Sequence, residues 1–197
     1  IAVIPVRAGS KRLPKKNYKS FNSRTMAEIA RDKGLAAGIF DKVIISSDDP
    51  FFEDLVNCNE VEFIKTTEQL AGDNATTDIV IDFFFEELPS CESILWVNSV
   101  SPLQSIQDIK KCGIRLYNPN VDCVMAVNTL YQHCCLGNKP LNFDTSKAFE
   151  KTQDLEPIQR YVYSCMGWSR ETYVKSRLEG FKGLFPGNMS LVEVSTL

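Results

Sequence analysis

The sequence predicts an α/β domain in which helices cover both faces of a mostly parallel β-sheet. Three observations carry this prediction. Short β-branched apolar runs recur along the chain, segments of helical period lie between them, and 197 residues suffice for one domain with a sizeable core. Because strands that alternate with helices are joined by right-handed crossovers, the pattern favours a sheet that is buried on both sides.

Seven segments are predicted as strands. They are rich in Val, Ile and aromatic residues and are bounded by turn-forming residues, which is typical of buried strands. Their ranges are 1–5, 42–46, 60–64, 93–98, 121–127, 160–165 and 191–194. The turn at 47–50, which contains two Asp residues and a Pro, is predicted to open a short helix.

Four helices are predicted between these strands, at 25–37, 76–88, 105–116 and 169–177. Gly38 marks the end of the first helix, because glycine adopts the left-handed conformation that often terminates a helix. Thr76 or Thr77 is expected to cap the second helix. Ser105, with Asp108 three residues later, is expected to cap the third.

The composition and the periodicity of the sequence change after Asn128. Residues 130–159 are rich in Asn, Asp, Lys and Pro and show no clear periodicity. We therefore predict a single domain over 1–197, in which 130–177 forms an irregular arm on the main sheet. Such an arm is a common place for contacts with a substrate or a partner.

Composition and charge exclude several classes of protein. The net charge is −3, so a broadly basic surface for nucleic acid is absent. No apolar run reaches the roughly 18 to 20 residues that span a bilayer, and no signal peptide is visible. The seven cysteines have irregular spacing without a C-x-x-C pair, as expected for reduced thiols. We predict a cytoplasmic protein that binds neither nucleic acid nor membranes.

Positive charge is concentrated directly after the first strand. Six of the 22 basic residues fall between positions 7 and 19, with no acidic residue among them: Arg7, Lys11, Arg12, Lys15, Lys16 and Lys19. In open parallel sheets, ligands bind beyond the carboxyl ends of the strands. Arg offers a fork for phosphate oxygens, and Lys offers a compact charge. The segment therefore predicts a site for an anionic ligand, with a solvated basic loop as the alternative.

Residues 4–17 (IPVRAGSKRLPKKN) resemble the signature of the acylneuraminate cytidylyltransferases, the CMP-sialic acid synthetases. Three further stretches match this family in order and spacing: 40–49 (FDKVIISSDD), 70–77 (LAGDNATT) and 101–103 (SPL). The resemblance implies a Rossmann-like nucleotidyltransferase fold. It also implies transfer of CMP from CTP to a nonulosonic, sialic-acid-like sugar, with release of pyrophosphate.

The resemblance also assigns roles to individual residues. Arg7 and Lys16 would be catalytic, because they would stabilise charge on the triphosphate. The residues that it places at the nucleotide are Arg7, Ala8, Gly9, Ser10, Lys16, Asn17, Ala75 and Thr77. Of these, Ala75 and Thr77 would line the cytosine site, although Thr77 has an alternative role as a helix cap. Asn98 would bind the sugar.

The chain departs from the family pattern on the sugar side. Asn98 and Gln104 stand where the family has Gln and Arg, and 166–168 (MGW) stand where relatives carry Asn-Gly-Ala. Two alternatives therefore stay open. One is a nucleotidyltransferase for a different acidic sugar, and the other is a nucleotide-binding homologue without catalytic activity.

A metal cofactor and a second subunit follow from the resemblance alone. Relatives place an Asp-x-Asp pair that holds Mg²⁺ after the final strand, and here that pair is expected beyond Leu197, so the metal ligands are unknown. In the family the arm forms a homodimer. Tyr161, Tyr163 and Trp168 would suit such an interface, or would pack within the same subunit.

Overall fold

Seven strands form the central sheet, and two short hairpins lie outside it. The computed structural model describes residues 1–10 and 13–195. The strands are β1 (Ala2–Pro5), β2 (Ser20–Phe21), β3 (Arg24–Thr25), β4 (Val43–Ser47), β5 (Val61–Lys65), β6 (Ser93–Val97), β7 (Cys123–Leu130), β8 (Cys135–Leu136), β9 (Lys139–Pro140), β10 (Ile158–Ser169) and β11 (Met189–Glu193). The helices are α1 (Met26–Ala37), α2 (Glu68–Ala71), α3 (Thr77–Glu87), α4 (Ile106–Leu116) and α5 (Arg170–Leu178).

The strand order confirms the predicted mostly parallel sheet. It runs β11-β7-β10-β6-β1-β4-β5, and β10 is antiparallel to both of its neighbours while the other six strands are parallel. The chain proceeds from β1 to β4 and β5 on one side, and then returns to place β6 on the other side of β1. This reversal creates a switch point between β1 and β6, where open α/β sheets bind their ligands.

Helices cover both faces of the sheet because alternate strand residues point to opposite sides. On one face, Ile4 and Ile45 pack with Ala30 of α1 and Ile109 of α4. On the other face, strand residues such as Ile44 and Met125 pack with α3 and with Tyr173 of α5, the latter 1% exposed. Among the residues described, no helix combines the length and the apolar composition that crossing a membrane requires.

Two of the predicted helix ends are confirmed, those at Gly38 and at Ser105. Thr25 and Glu28 form a reciprocal capping box at the start of α1, and Gly38 ends that helix with φ of 63°. The Ser105 side chain accepts a hydrogen bond from the Asp108 amide at the start of α4. The short helix predicted after the turn at 47–50 is a 3₁₀ segment, Pro50–Leu55, which Asp49 caps.

The region after residue 128 is where structure and expectation differ most. The sequence predicts a strand over 160–165, whereas β10 runs from Ile158 to Ser169 and inserts between β6 and β7. The helix that follows begins one residue later than predicted, at Arg170. Trp168 is fully buried in the core and its indole N–H donates to the carbonyl of Leu184, so the intrasubunit alternative holds for this residue.

Gly167 lies in β10 at a place where the sheet and α4 approach closely. A Cβ atom there would meet Val124, Leu116 and Leu95 side-chain atoms at 2.8, 2.9 and 3.0 Å. We expect Gly167→Ala to lower the free energy of unfolding by about 1–3 kcal/mol through overpacking, as measured by denaturant titration.

Gly9→Ala is the matched control for this change. A Cβ on Gly9 meets nothing within 4 Å. We expect the control to lower the free energy of unfolding by no more than about 0.5 kcal/mol. Equal stability of the two variants would contradict the close packing around Gly167.

Candidate functional site

A cavity of about 280 Å³ lies at the carboxyl ends of the parallel strands. Its walls come from the loop after β1, the end of β4, the residues between α2 and α3, and the segment that follows β6. The cavity therefore occupies the switch point between β1 and β6. Its size suits a nucleoside-sized ligand.

Most of the predicted site residues meet at this cavity. Those that line it are Arg7, Lys16, Asn17, Ala75, Thr77 and Asn98. Gly9 and Ser10 line an adjoining surface pocket that shares Arg7 and Asp73 with the cavity. Lys11 and Arg12, which belong to the same basic segment, lie outside the described residues.

Asn17 ties the cationic loop to both sides of the switch point. Its side chain is buried, its Nδ2 donates to the carbonyl of Arg7 at 2.9 Å, and its Oδ1 accepts from the Ser99 hydroxyl at 3.0 Å. Since Arg7 follows β1 and Ser99 follows β6, one amide group connects the two segments. The predicted contact of Asn17 with a nucleotide remains a prediction, whereas this structural role is observed.

Two carboxylates anchor the rest of the loop. Asp48 accepts a hydrogen bond from the Ala8 amide at 2.8 Å, so this amide is directed at a carboxylate. The hydroxyl of Tyr18 donates to Asp49, and the Tyr18 ring packs 4.8 Å from that of Phe52. Burial and the hydrogen bond to Asp49 raise the pKa of Tyr18, while the hydroxyl of Tyr18 and then the amide of Phe51 lower the pKa of Asp49. Tyr18 therefore stays protonated and keeps its donor role.

Arg7 is oriented by acceptors on the opposite wall. Its Nη1 donates to the carbonyl of Ala71 at 3.2 Å and to Asp73 Oδ1 at 3.3 Å. Both side chains of this ion pair are more than 40% exposed, so the pair itself contributes little stability. A guanidinium has five N–H donors, and both contacts use the same nitrogen. Arg7 is thus held at the rim of the cavity by contacts that use one nitrogen of its guanidinium.

The start of α3 forms the wall opposite β1. Thr76, not Thr77, is its N-cap, and the Thr76 side chain makes no capping hydrogen bond. Thr77 is the first residue of the helix and lines the cavity together with Ala75. The capping alternative for Thr77 is therefore wrong. The N-terminus of this 11-residue helix adds partial positive charge at the cavity.

Several cavity residues have roles that motif spacing does not show. Trp96 packs against the apolar cluster on the α3 face of the sheet and also lines the cavity. Ser46 lines it as well, and the buried Ser46 Oγ has no hydrogen-bond partner among the described residues. The alternation of side chains along a strand could have indicated this position of Trp96. Trp96 lies two residues beyond the buried Ile94, so both point to the same face of the sheet, and Trp96 is close to the carboxyl end of β6.

The departures on the sugar side have identifiable structural roles. Gln104 is buried outside the cavity lining, and its Nε2 donates to Ser164 Oγ and Cys165 Sγ, both at 3.1 Å. Asn98 lines the cavity, donates from Nδ2 to the carbonyl of Tyr163 at 3.1 Å, and accepts from the Val100 amide at 3.2 Å. Both departures thus contact the same part of β10.

The described residues form no cluster of metal ligands on their own. In 1–10 and 13–195 no group of three His, Cys, Asp or Glu residues is arranged to hold a metal ion. The carboxylates nearest the cavity, Asp48 and Asp73, already accept hydrogen bonds from Ala8 and Arg7. The Mg²⁺ that the resemblance implies stays a prediction, and no step of the reaction is assigned to it.

The fold and the cavity together define an α/β protein that binds a ligand at the switch point of a parallel sheet, beneath a cationic loop. A family model described as cytidylyltransferase matches residues 1–162. The chain belongs to this family.

Two relatives of known name align with most of this chain. The N-acylneuraminate cytidylyltransferase of Streptococcus agalactiae serotype III is 24% identical over 185 residues, which cover 90% of this chain and 45% of that protein. The pseudaminic acid cytidylyltransferase of Campylobacter jejuni is 31% identical over 195 residues, which cover 88% and 82%. The chain thus spans about half the length of the first relative and most of the second.

Solved structures share the same fold. A CMP:2-keto-3-deoxy-manno-octonic acid synthetase complexed with CTP aligns over 98% of this chain and 90% of its own, with a TM-score of 0.70 and 13% identity. The 4-diphosphocytidyl-2C-methyl-D-erythritol synthase of Anaerococcus prevotii aligns over 98% and 88%, with a TM-score of 0.66 and 13% identity. At this identity the similarity establishes the Rossmann-like nucleotidyltransferase fold.

The double role of the Asn17 amide generates a stability prediction. Asn17→Ala removes both hydrogen bonds and leaves the carbonyl of Arg7 and the hydroxyl of Ser99 without these partners. We expect the free energy of unfolding to fall by about 1–3 kcal/mol, as measured by denaturant titration.

Asn59→Ala serves as the control, because Asn59 is exposed. We expect its effect to stay within about 0.5 kcal/mol. Equal stabilities of the Asn17 and Asn59 variants would show that the Asn17 side chain does not hold the loop.

Proposed function

We propose that this protein transfers CMP from CTP to a nonulosonic, sialic-acid-like sugar and releases pyrophosphate. In this reaction a sugar hydroxyl oxygen bonds to the α-phosphorus, the bond from that phosphorus to the bridging β-phosphate oxygen breaks, and the hydroxyl proton is lost. Positioning and charge stabilisation dominate the catalysis of such transfers. The function therefore needs a fixed cationic site next to a nucleoside pocket.

The single observation that carries the proposal is the convergence of Arg7 and Lys16 on one cavity with the start of α3. Arg7 is fixed by Ala71 and Asp73, and Lys16 lies in the short 3₁₀ turn that Asn17 and Tyr18 anchor. Positive charge that is oriented before the ligand arrives stabilises a developing phosphate charge without further reorganisation.

The cavity wall at the start of α3 supports the proposal that the nucleotide base is cytosine. Ala75 and Thr77 combine a small side chain with a hydroxyl at one side of the cavity, and Trp96 and Val80 add apolar surface. A planar base fits a pocket with apolar walls and few polar groups. The preference for CTP follows from family membership together with this arrangement.

The nonulosonic acceptor is supported by the names of the two relatives, which act on N-acylneuraminate and pseudaminic acid. The second candidate acceptor is a different acidic sugar. It is favoured by Asn98 and Gln104, which stand at positions where the family pattern has a longer Gln and a charged Arg. The side-chain amides of both residues contact β10. Mg²⁺ as cofactor, a homodimer formed through the arm, and a cytoplasmic location complete the proposal.

Measurement of pyrophosphate release tests the activity. The protein is incubated with Mg²⁺ and each of CTP, UTP, ATP and GTP, in the presence of N-acetylneuraminic acid, pseudaminic acid or 2-keto-3-deoxy-manno-octonic acid. We expect release only with CTP, and only with a nonulosonic acid. Release with the octonic acid alone would favour the second candidate, and CTP binding without any release would support a nucleotide-binding homologue that lacks catalysis.

Arg7→Ala and Lys16→Ala test the phosphate site. Each change removes a cation from the cavity rim, and we expect kcat/KM for CTP to fall by about 1 to 3 orders of magnitude. Lys110→Ala is the control, because Lys110 lies on α4 outside the cavity. Kinetics that remain unchanged in both rim variants would remove the phosphate role of this loop.

A further inference from the structure

A bulge interrupts β10 beside the cavity. Between Tyr161 and Met166 the strand advances five residues, while the paired residues of β7, Val127 and Met125, are two apart. Tyr163 lies within the bulge and has φ of 58°, a left-handed conformation that is unfavourable for a bulky residue. Bulges redirect side chains and are frequent next to active sites.

Side chains from the segment after β6 hold this bulge in place. The Asn98 side chain donates from Nδ2 to the carbonyl of Tyr163, and the backbone N–H of Asn98 donates to the carbonyl of Ser164 at 3.0 Å. Gln104 donates to the side chains of Ser164 and Cys165. The bulge is therefore bound at three consecutive residues to the segment that also lines the cavity.

The ring of Tyr163 lies next to an aromatic residue on the cavity face of the sheet. Its centroid is 6.1 Å from that of Tyr161, in an edge-on arrangement. Tyr161 packs against the same apolar cluster as Ala75 and Trp96, and these two residues line the cavity. Tyr163 is 55% exposed, so a bound molecule can reach its ring.

We propose that Tyr163 is a specificity-determining residue for the acceptor sugar, and that Asn98 is the positioning residue that holds it. The inference rests on the proposed function. An exposed tyrosine offers an apolar ring face and one hydroxyl, which suits a sugar with apolar C–H faces and a hydroxylated rim. Asn98 acts on the acceptor through the carbonyl of Tyr163.

Tyr163→Gly separates this role from a structural one. Glycine adopts φ of 58° without steric strain, so the variant keeps the bulge while it loses the ring. We expect the melting temperature to stay the same or rise. The acceptor KM should rise about 10-fold or more, while the KM for CTP stays within about twofold.

Tyr117→Ala is the control for loss of an exposed tyrosine. Tyr117 is 56% exposed, follows α4 and does not line the cavity. Its hydroxyl donates to the carbonyl of Ile39, which precedes β4. We expect this control to leave both KM values unchanged. An unchanged acceptor KM in Tyr163→Gly, measured in an active protein, would overturn the inference and leave the proposed function intact.

Asn98→Ala and the double variant identify the positioning role. Asn98→Ala should raise the acceptor KM in the same way, and Tyr163→Gly combined with Asn98→Ala should raise it no further, because both changes remove one effect. Effects that multiply would show that Asn98 contacts the sugar directly and would overturn its positioning role. A wild-type protein that releases pyrophosphate with none of the three acceptors would refute the proposed function and this inference together.

Discussion

The hydrogen bonds of the Asn17 amide join the two sides of the sheet's switch point, and the candidate site depends on them. One oxygen and one nitrogen connect the segment after β1 with the segment after β6. These two strands are neighbours in the sheet, but the chain between them passes through β4 and β5. The carbonyl of Arg7 is thereby fixed, and with it the direction in which the cationic loop leaves the sheet.

The strands and helices of the first two thirds of the chain could be predicted because their signals are local. Residues 43–45 (VII) are continuously apolar since both sides of the strand are buried, and β4 is buried at all five of its positions. Gly38, predicted as the end of α1, adopts the left-handed conformation there, and Ser105, predicted as the cap of α4, accepts a hydrogen bond from the Asp108 amide. The cationic loop was also recognisable, since its charge is contiguous in sequence.

The central-sheet strands and the helix of the last third could be predicted to within a few residues, but their places in the sheet could not be predicted because the contacts that set them are distant in sequence. β10 inserts between β6 and β7, so Gly167 is required by the side chains of Leu95, Leu116 and Val124, which no window around residue 167 contains. The function of Gln104 likewise depends on Ser164 and Cys165, about 60 residues away. Pattern comparison marked Asn98 and Gln104 as departures, but only the fold shows that both contact one bulge.

One kind of hydrogen bond, from a side chain to a backbone carbonyl, explains why polar residues lie near the cavity at the carboxyl ends of the strands. Backbone carbonyls lose their ladder partners where strands end or bulge, and side chains can supply the missing hydrogen-bond donors. Ser47 donates to the carbonyl of Val6 at 2.6 Å, Asn17 donates to that of Arg7, and Asn98 donates to that of Tyr163. Each bond fixes a segment that carries a candidate ligand contact. Because these hydrogen bonds fix their segments before a ligand arrives, less of the free energy of binding is spent on ordering them. The side chains that donate hydrogen bonds to backbone carbonyls at the carboxyl ends of the strands are therefore also those that shape the site.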